Sequence, residues 1–211
     1  LGYMYRQGFG VPQDDKIGIN YFRLSAEQGN FQSQFNLGYA YHVGKGVTKN
    51  YKNALKWYTL AAEQGHAGSQ YNMGVLYENG DGVKVDHKTA VKWYTLAAEQ
   101  GNEGAQNNLG MNYRKGEGVI QDYETAVKWL KLSAEQGNTI AQKNLGQMYE
   151  KGWGVSQNNI YAHMWGNISA SEGNWDGIEL RDRVAKKMTP ADISKAQNLA
   201  RKCVAKNYIR C

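Results

Sequence analysis

Few side chains in this chain of 211 residues have the type and spacing that chemistry needs. Four histidines, His42, His66, His87 and His163, stand apart from one another. No His-Glu-x-x-His run, no paired-cysteine zinc spacing and no Gly-x-x-x-x-Gly-Lys-Ser/Thr loop occurs, so neither a metal-activated water nor a cradled phosphate is indicated. Gly-x-Gly recurs five times, but its flanks read as helices rather than strands, and a dinucleotide fingerprint needs a strand before it. Cys203 and Cys211 are the only cysteines. Along one straight helix eight residues span about 12 Å, whereas a disulfide needs Cα atoms within about 7 Å. A bond therefore requires the helix to end near Asn207 and Tyr208-Ile209-Arg210 to turn back. Two free thiols on a frayed terminus are the alternative. The sequon Asn167-Ile168-Ser169 falls inside a predicted helix and is read as accidental. The residues predict no enzyme, no cofactor and no metal.

What the chain has instead is a period. Ala-Glu-Gln-Gly begins at Ala26, Ala62, Ala98 and Ala134 and drifts to Ala-Ser-Glu-Gly at Ala170, in steps of 36 residues without insertion. Gly-x-Gly-Val starts at Gly8, Gly44, Gly80, Gly116 and Gly152 in the same steps. So do Tyr5, Tyr41, Tyr77, Tyr113 and Tyr149, and Trp57, Trp93, Trp129 and Trp165, with Tyr21 in the Trp phase. Fixed-period self-similarity marks a repeat array. In residues 31–66, Phe31, Gln34, Leu37, Gly38 and Tyr41 fall three and four apart, a helix face. Gly44-Lys45-Gly46 stops that helix, and Tyr51, Ala54, Leu55, Trp57, Tyr58, Leu60 and Ala61 restart the pattern until Gly65. Each unit is a first helix A, a glycine loop, a second helix B and a tight turn. Gly38, Gly74, Gly110 and Gly146 recur within helix A at a cost of about 1 kcal/mol each relative to alanine, which implies close helix approach. Ala54, Ala90, Ala126 and Ala162 imply the same in helix B. One pair cannot bury its aromatics alone, so stability comes from stacking neighbours.

The combination Leu109-Gly110, Tyr113, Gly116, Gly118-Val119, Ala126, Trp129 and Ala134-Glu135-Gln136-Gly137 resembles Sel1-like repeats, relatives of the tetratricopeptide repeats. The resemblance covers residues 1–174. It implies an all-α, right-handed α-solenoid of antiparallel helix pairs, used as an adaptor surface; bacterial members are often exported. The expected organisation is a repeat solenoid over 1–174, with a partial first repeat and units near 31–66, 67–102, 103–138 and 139–174. A C-terminal capping helix pair over 175–211 carries Cys203 and Cys211. Helices are predicted at about 176–187 and, opened by Thr189-Pro190, at about 190–206. The spacing of Cys203 and Cys211 is similar to the cysteine pairs of exported Sel1-like proteins, and a bonded pair implies an oxidising compartment. Leu1-Gly2 corresponds to the middle of helix A, so the N-terminus is either truncated or a stub. A periplasmic or secreted location is expected, with an export signal upstream. A relative with clustered cysteines is linked to β-lactam hydrolysis, but no Ser-x-x-Lys occurs to supply the nucleophile.

In tetratricopeptide-like stacks the helix A surfaces line the concave groove, which makes the outward positions of helix A the candidates for partner binding. Copy by copy these are Tyr3; Phe35, Asn36, Tyr39 and His42; Tyr71, Asn72, Val75 and Glu78; Asn107, Asn108, Met111 and Arg114; and Lys143, Asn144, Gln147 and Glu150. Most vary between copies, as positions tuned to a ligand do. Asn36, Asn72, Asn108 and Asn144 do not vary. They read either as an amide ladder for an extended peptide, similar to the clamping asparagines of tetratricopeptide domains, or as structural amides tying helix A to its neighbour. Phe9 and Trp153, at the centres of the first and last glycine loops, are candidate rim contacts or packing residues.

The net charge of +6 sits mostly in residues 176–211, where nine Lys/Arg face four acids. A nucleic-acid groove needs basic residues along its binding face, so nucleic acid is disfavoured as a partner. No run of apolar residues is long enough to span a membrane. The sequence therefore predicts a protein- or peptide-binding scaffold, monomeric, with an envelope assembly or cell-wall glycan-binding factor as the alternative.

Overall fold

The computed structural model describes residues 1–208 and Cys211. Ile209 and Arg210, part of the expected C-terminal return, lie outside the described residues. The chain divides into two compact units, Leu1–Gln100 and Gly101–Cys211. Unit 1 contains α1 (Gly2–Gln7), α2 (Asp15–Glu27), α3 (Phe31–Val43), α4 (Tyr51–Glu63), α5 (Ala67–Asn79) and α6 (His87–Glu99). Unit 2 contains α7 (Glu103–Lys115), α8 (Tyr123–Glu135), α9 (Thr139–Lys151), α10 (Asn159–Ser171), α11 (Trp175–Ala185) and α12 (Pro190–Ala205). Among the described residues there is no strand. Within each unit successive helices pack in chain order, α1 on α2 through to α6 and α7 on α8 through to α11. This is the all-helical solenoid that the spacing predicts.

Local chemistry sets the start of every helix from α2 onward. Each helix B from α2 to α10 opens on an Asp or Asn cap: Asp14, Asn50, Asp86, Asp122 or Asn158. Helices α3, α7, α9 and α11 open on Asn30, Asn102, Asn138 and Asn174. In each case the side-chain oxygen accepts an otherwise orphaned N–H of the first turn. At α5 the same place is held by His66, whose Nδ1 accepts from the Ser69 N–H at 3.1 Å. In the loops, Gly44 and Gly46 adopt φ of 79° and 76°, the left-handed region that L side chains avoid. The loop is closed by the Asn50 N–H donating to the Tyr41 carbonyl, and the equivalent bond recurs in all five loops at 2.8–2.9 Å. The invariant tyrosine thus marks where its loop is tied.

Packing explains the helix-interior glycines. A Cβ on Gly38 would lie 2.7 Å from the Tyr58 ring, and one on Gly110 would lie 2.8 Å from Leu130. Gly74 presses on the Tyr94 ring in the same way. Tyr58 and Tyr94 are fully buried, while the neighbouring Trp57 and Trp93 are only half-buried. The Ala-Glu-Gln-Gly string serves a hydrogen-bond ladder. The buried amides of Gln34 and Gln70 donate to the carbonyls of Ala26 and Ala62 in the preceding string. Gln64 and Gln100, from the string of their own repeat, donate in turn to Gln34 and Gln70 at 2.7 Å. In unit 2, Gln136 donates to Gln106 and Gln142 to Ala134.

The C-terminal helices both pack on α10. Asn174 caps α11 as Asn138 caps α9, 36 residues earlier, so α11 begins in the phase of a further helix A. Helix α12 buries Ala200 and Cys203 in the cluster of Met164, Trp165 and Ile168. It ends at Ala205, Asn207 and Tyr208 take positive φ, and Cys203 and Cys211 are bonded with Cα atoms 5.3 Å apart.

Candidate interaction surface

The predicted surface residues fall into two groups, divided between the units. In unit 1, Tyr3 and Tyr39 are exposed, at 59% and 43%. Phe35, Asn36, His42, Tyr71, Asn72, Val75 and Glu78 are half-buried. Phe35 packs on the rings of Tyr58 and His66, with centroids 6.0 and 4.7 Å away, and Tyr71 on Tyr94 at 6.0 Å. His42 lies edge-on to Tyr51 and Tyr58. Burial lowers its pKa, Asp81 acts in the opposite sense, and Lys49 adds to the lowering. Glu78 accepts the Tyr94 hydroxyl at 2.9 Å. The Tyr71 phenol is pushed up by burial and by the charge of Glu78.

In unit 2 the equivalent side chains are engaged with the chain itself. Asn107 and Asn144, expected on the accessible side, are buried, and the Asn144 amide donates to Asn107 at 2.9 Å. Asn107 in turn donates to Asn108 at 3.1 Å. Lys143 pairs with Asp176 of α11 at 3.2 Å. Arg114 contacts Gln147 at 3.4 Å and lies 5.9 Å from the Trp153 ring centroid. Met111 packs against the apolar cluster of this unit. Glu150, also expected outward, is buried because α11 covers it, with Lys187 Nζ at 2.9 Å and Arg183 at 3.0 Å. Burial alone would raise its pKa. The hydrogen bonds and charges of Arg183 and Lys187 outweigh that and hold it down at about 2.

The two loop aromatics also divide. Phe9 is exposed at 60%, 6.4 Å from Tyr3, whereas Trp153 stacks on Tyr123 at 5.5 Å. No group of three or more His, Cys, Asp or Glu among the described residues could hold a metal ion. Among the described residues no helix is long and apolar enough to cross a membrane. Thr189 caps α12 as its sequence predicts, but the Gln ladder and the Asp and Asn caps of the repeats do not stand out among the sequence motifs, although Gln34, Gln70, Gln106 and Gln142 repeat without change at the 36-residue period.

Comparison with known proteins identifies the period. The Sel1 repeat model matches residues 1–30, 31–66, 67–102, 104–138 and 139–174. The chain belongs to the Sel1 repeat family. A Sel1 repeat protein from Oxalobacter formigenes superposes with a TM-score of 0.83 at 34% identity, over 94% of this chain and 82% of that one. A protective antigen of uropathogenic Escherichia coli with an SLR fold matches at 27% identity and a TM-score of 0.56, over 99% of this chain and 61% of its own length. An immunity protein from Pseudomonas aeruginosa shares the fold at 24% identity and a TM-score of 0.54, over 99% of this chain and 80% of its own. Among curated proteins no match is found. The framework of this Sel1 chain, its tyrosines, glycines and glutamines, is spent on folding.

Proposed function

We propose that this chain is a scaffold that binds a protein or peptide segment along the helix A face of unit 1. Sel1 repeat proteins act as protein-interaction scaffolds, and the family is generally non-catalytic. One observation carries the reading. Tyr39, Asn36, Tyr71, Asn72 and Val75 keep accessible surface on α3 and α5, while the matching residues of unit 2 are largely consumed by internal contacts. Aromatic and amide side chains of this kind supply contact area and backbone hydrogen bonds at low entropic cost. The bonded Cys203 and Cys211 support an oxidising, extracytoplasmic location.

The test is to pan a random nonapeptide display library on the immobilised chain and on its Tyr39→Ala and Asn72→Ala variants, with thermal melts alongside. The reading expects peptides that bind the parent chain and lose affinity on both variants while melting stays intact. Peptides that bind all three equally would refute it. A fall in melting temperature without selective loss of binding would make Asn72 a structural amide.

A further inference from the structure

The helix A face of unit 1 is unusual in its charge. Helices α3 and α5 together hold one side chain with a full charge, Glu78. Helices α7 and α9 hold Arg114, Lys115, Lys143 and Lys151 along with Glu103 and Glu150. Glu78 and Glu150 occupy the same repeat position, two periods apart. Glu150 receives Arg183 and Lys187, two cations in direct contact. Glu78 is half-buried, accepts one neutral hydroxyl, and makes no ion pair among the described residues. Lys49 lies over the Tyr51 ring at 4.5 Å and Lys45 beside Asp15 at 3.8 Å, and Lys84, in the loop that follows α5, makes no ion pair with Glu78 among the described residues. A partly desolvated carboxylate without a cation is a place where an incoming ammonium or guanidinium gains more than in water. The aromatic surfaces beside it add attraction for the same group.

Resting on the scaffold reading above, we propose that unit 1 selects a partner segment carrying a lysine or arginine, seated on Glu78, with apolar or aromatic neighbours over Tyr39, Tyr71 and Val75. The chain itself shows the chemistry at the equivalent position, where Arg183 of α11 and Lys187 just beyond that helix close on Glu150. A segment rich in acids is disfavoured, because nothing on α3 or α5 would pair with it.

The experiment uses the same nonapeptide library on the full chain, with Glu78→Gln as the variant. Glutamine keeps the size of the side chain and an oxygen for the Tyr94 hydroxyl. The expected result is enrichment of Lys or Arg at one register position on the parent chain and its disappearance on Glu78→Gln. For a selected peptide, replacing that residue by norleucine should cost about tenfold in affinity on the parent chain and little on the variant. Peptides that depend on Tyr39 but show no cationic preference would overturn this inference and leave the scaffold reading standing. Selection of acidic peptides, or a cationic preference that survives Glu78→Gln, would also overturn it. Failure to select any peptide sensitive to Tyr39 or Glu78 would sink both.

Discussion

The glutamine ladder breaks at its last rung, and the break has a measurable cost. In unit 1 the amides of Gln64 and Gln100 donate to Gln34 and Gln70 at 2.7 Å, and in unit 2 Gln136 donates to Gln106 at the same distance. At the next step the position is held by Glu172, whose carboxylate side chain has no N–H to give. Gln142 still donates to the Ala134 carbonyl at 3.3 Å, but its Oε1 is buried with no partner among the described residues. Glu172→Gln would supply the missing donor, and its oxygen could still accept from the Tyr208 hydroxyl, now 3.4 Å from Glu172. A buried unsatisfied acceptor costs about 1–3 kcal/mol, and a completed neutral hydrogen bond nets about 1 kcal/mol. Because residue 172 is itself exposed, the lower half applies, a gain of about 1–2 kcal/mol. For a chain of this size each kcal/mol moves the melting temperature by about 2–4 °C, so a rise of about 2–8 °C is expected. Circular dichroism melts and guanidinium titrations measure it, with amide hydrogen exchange across α9 and α10 to localise the gain, since repeat arrays need not unfold as one unit. The reciprocal change, Gln64→Glu, should cost a similar amount in unit 1. No stabilisation from Glu172→Gln together with no loss from Gln64→Glu would refute the ladder as a source of stability.

The packing and the charges give four further expected outcomes. Gly38→Ala should destabilise by about 1–3 kcal/mol although alanine favours helix, because the added carbon meets the Tyr58 ring; a denaturant melt decides it. Burial lowers the pKa of His66, and its neutral Nδ1 serves as the α5 cap. The stability this provides is present above the unfolded value of about 6.5 and is lost as pH falls through the lower folded value. His66→Asn should flatten the pH dependence of melting in that window. Glu150 sits at about 2 in the folded chain, so its contribution holds above its unfolded value of about 4.3 and fades as pH drops toward 2. Glu150→Gln should remove that acid-side slope and loosen α11, seen as faster hydrogen exchange there. Reducing the bond between Cys203 and Cys211 should cost about 2–3 kcal/mol for so short a loop, read as earlier melting of unit 2 in dithiothreitol.

Much of this fold is legible in the sequence because its framework is periodic. The Tyr, Gly-x-Gly and Ala-Glu-Gln-Gly rows sit at fixed spacing, and each marks a loop closure or a helix contact in the structure. Accessibility is less legible, because it depends on the element that packs over a repeat rather than on the repeat itself. Glu78 and Glu150 look alike in the sequence, and nothing in their row shows that Arg183 and Lys187 arrive over Glu150. Asn72 and Asn144 likewise share a row, yet Asn144 is buried against Asn107 of the preceding repeat, whereas the residue matching Asn107 in the repeat before Asn72 is aromatic, Phe35. The caps escape notice because Asn30 and Asn102 lie next to conspicuous glycines, and His66 in the same place hides the row.

Partner binding is proposed to fall on the helix A face of unit 1. Titrating the isotope-labelled chain with a selected peptide and mapping amide shifts by NMR tests it most directly. The largest shifts are expected on Tyr39, Asn72, Val75 and Glu78 of α3 and α5. Shifts centred on Leu60 and Leu96 of α4 and α6, or on unit 2 alone, would contradict it.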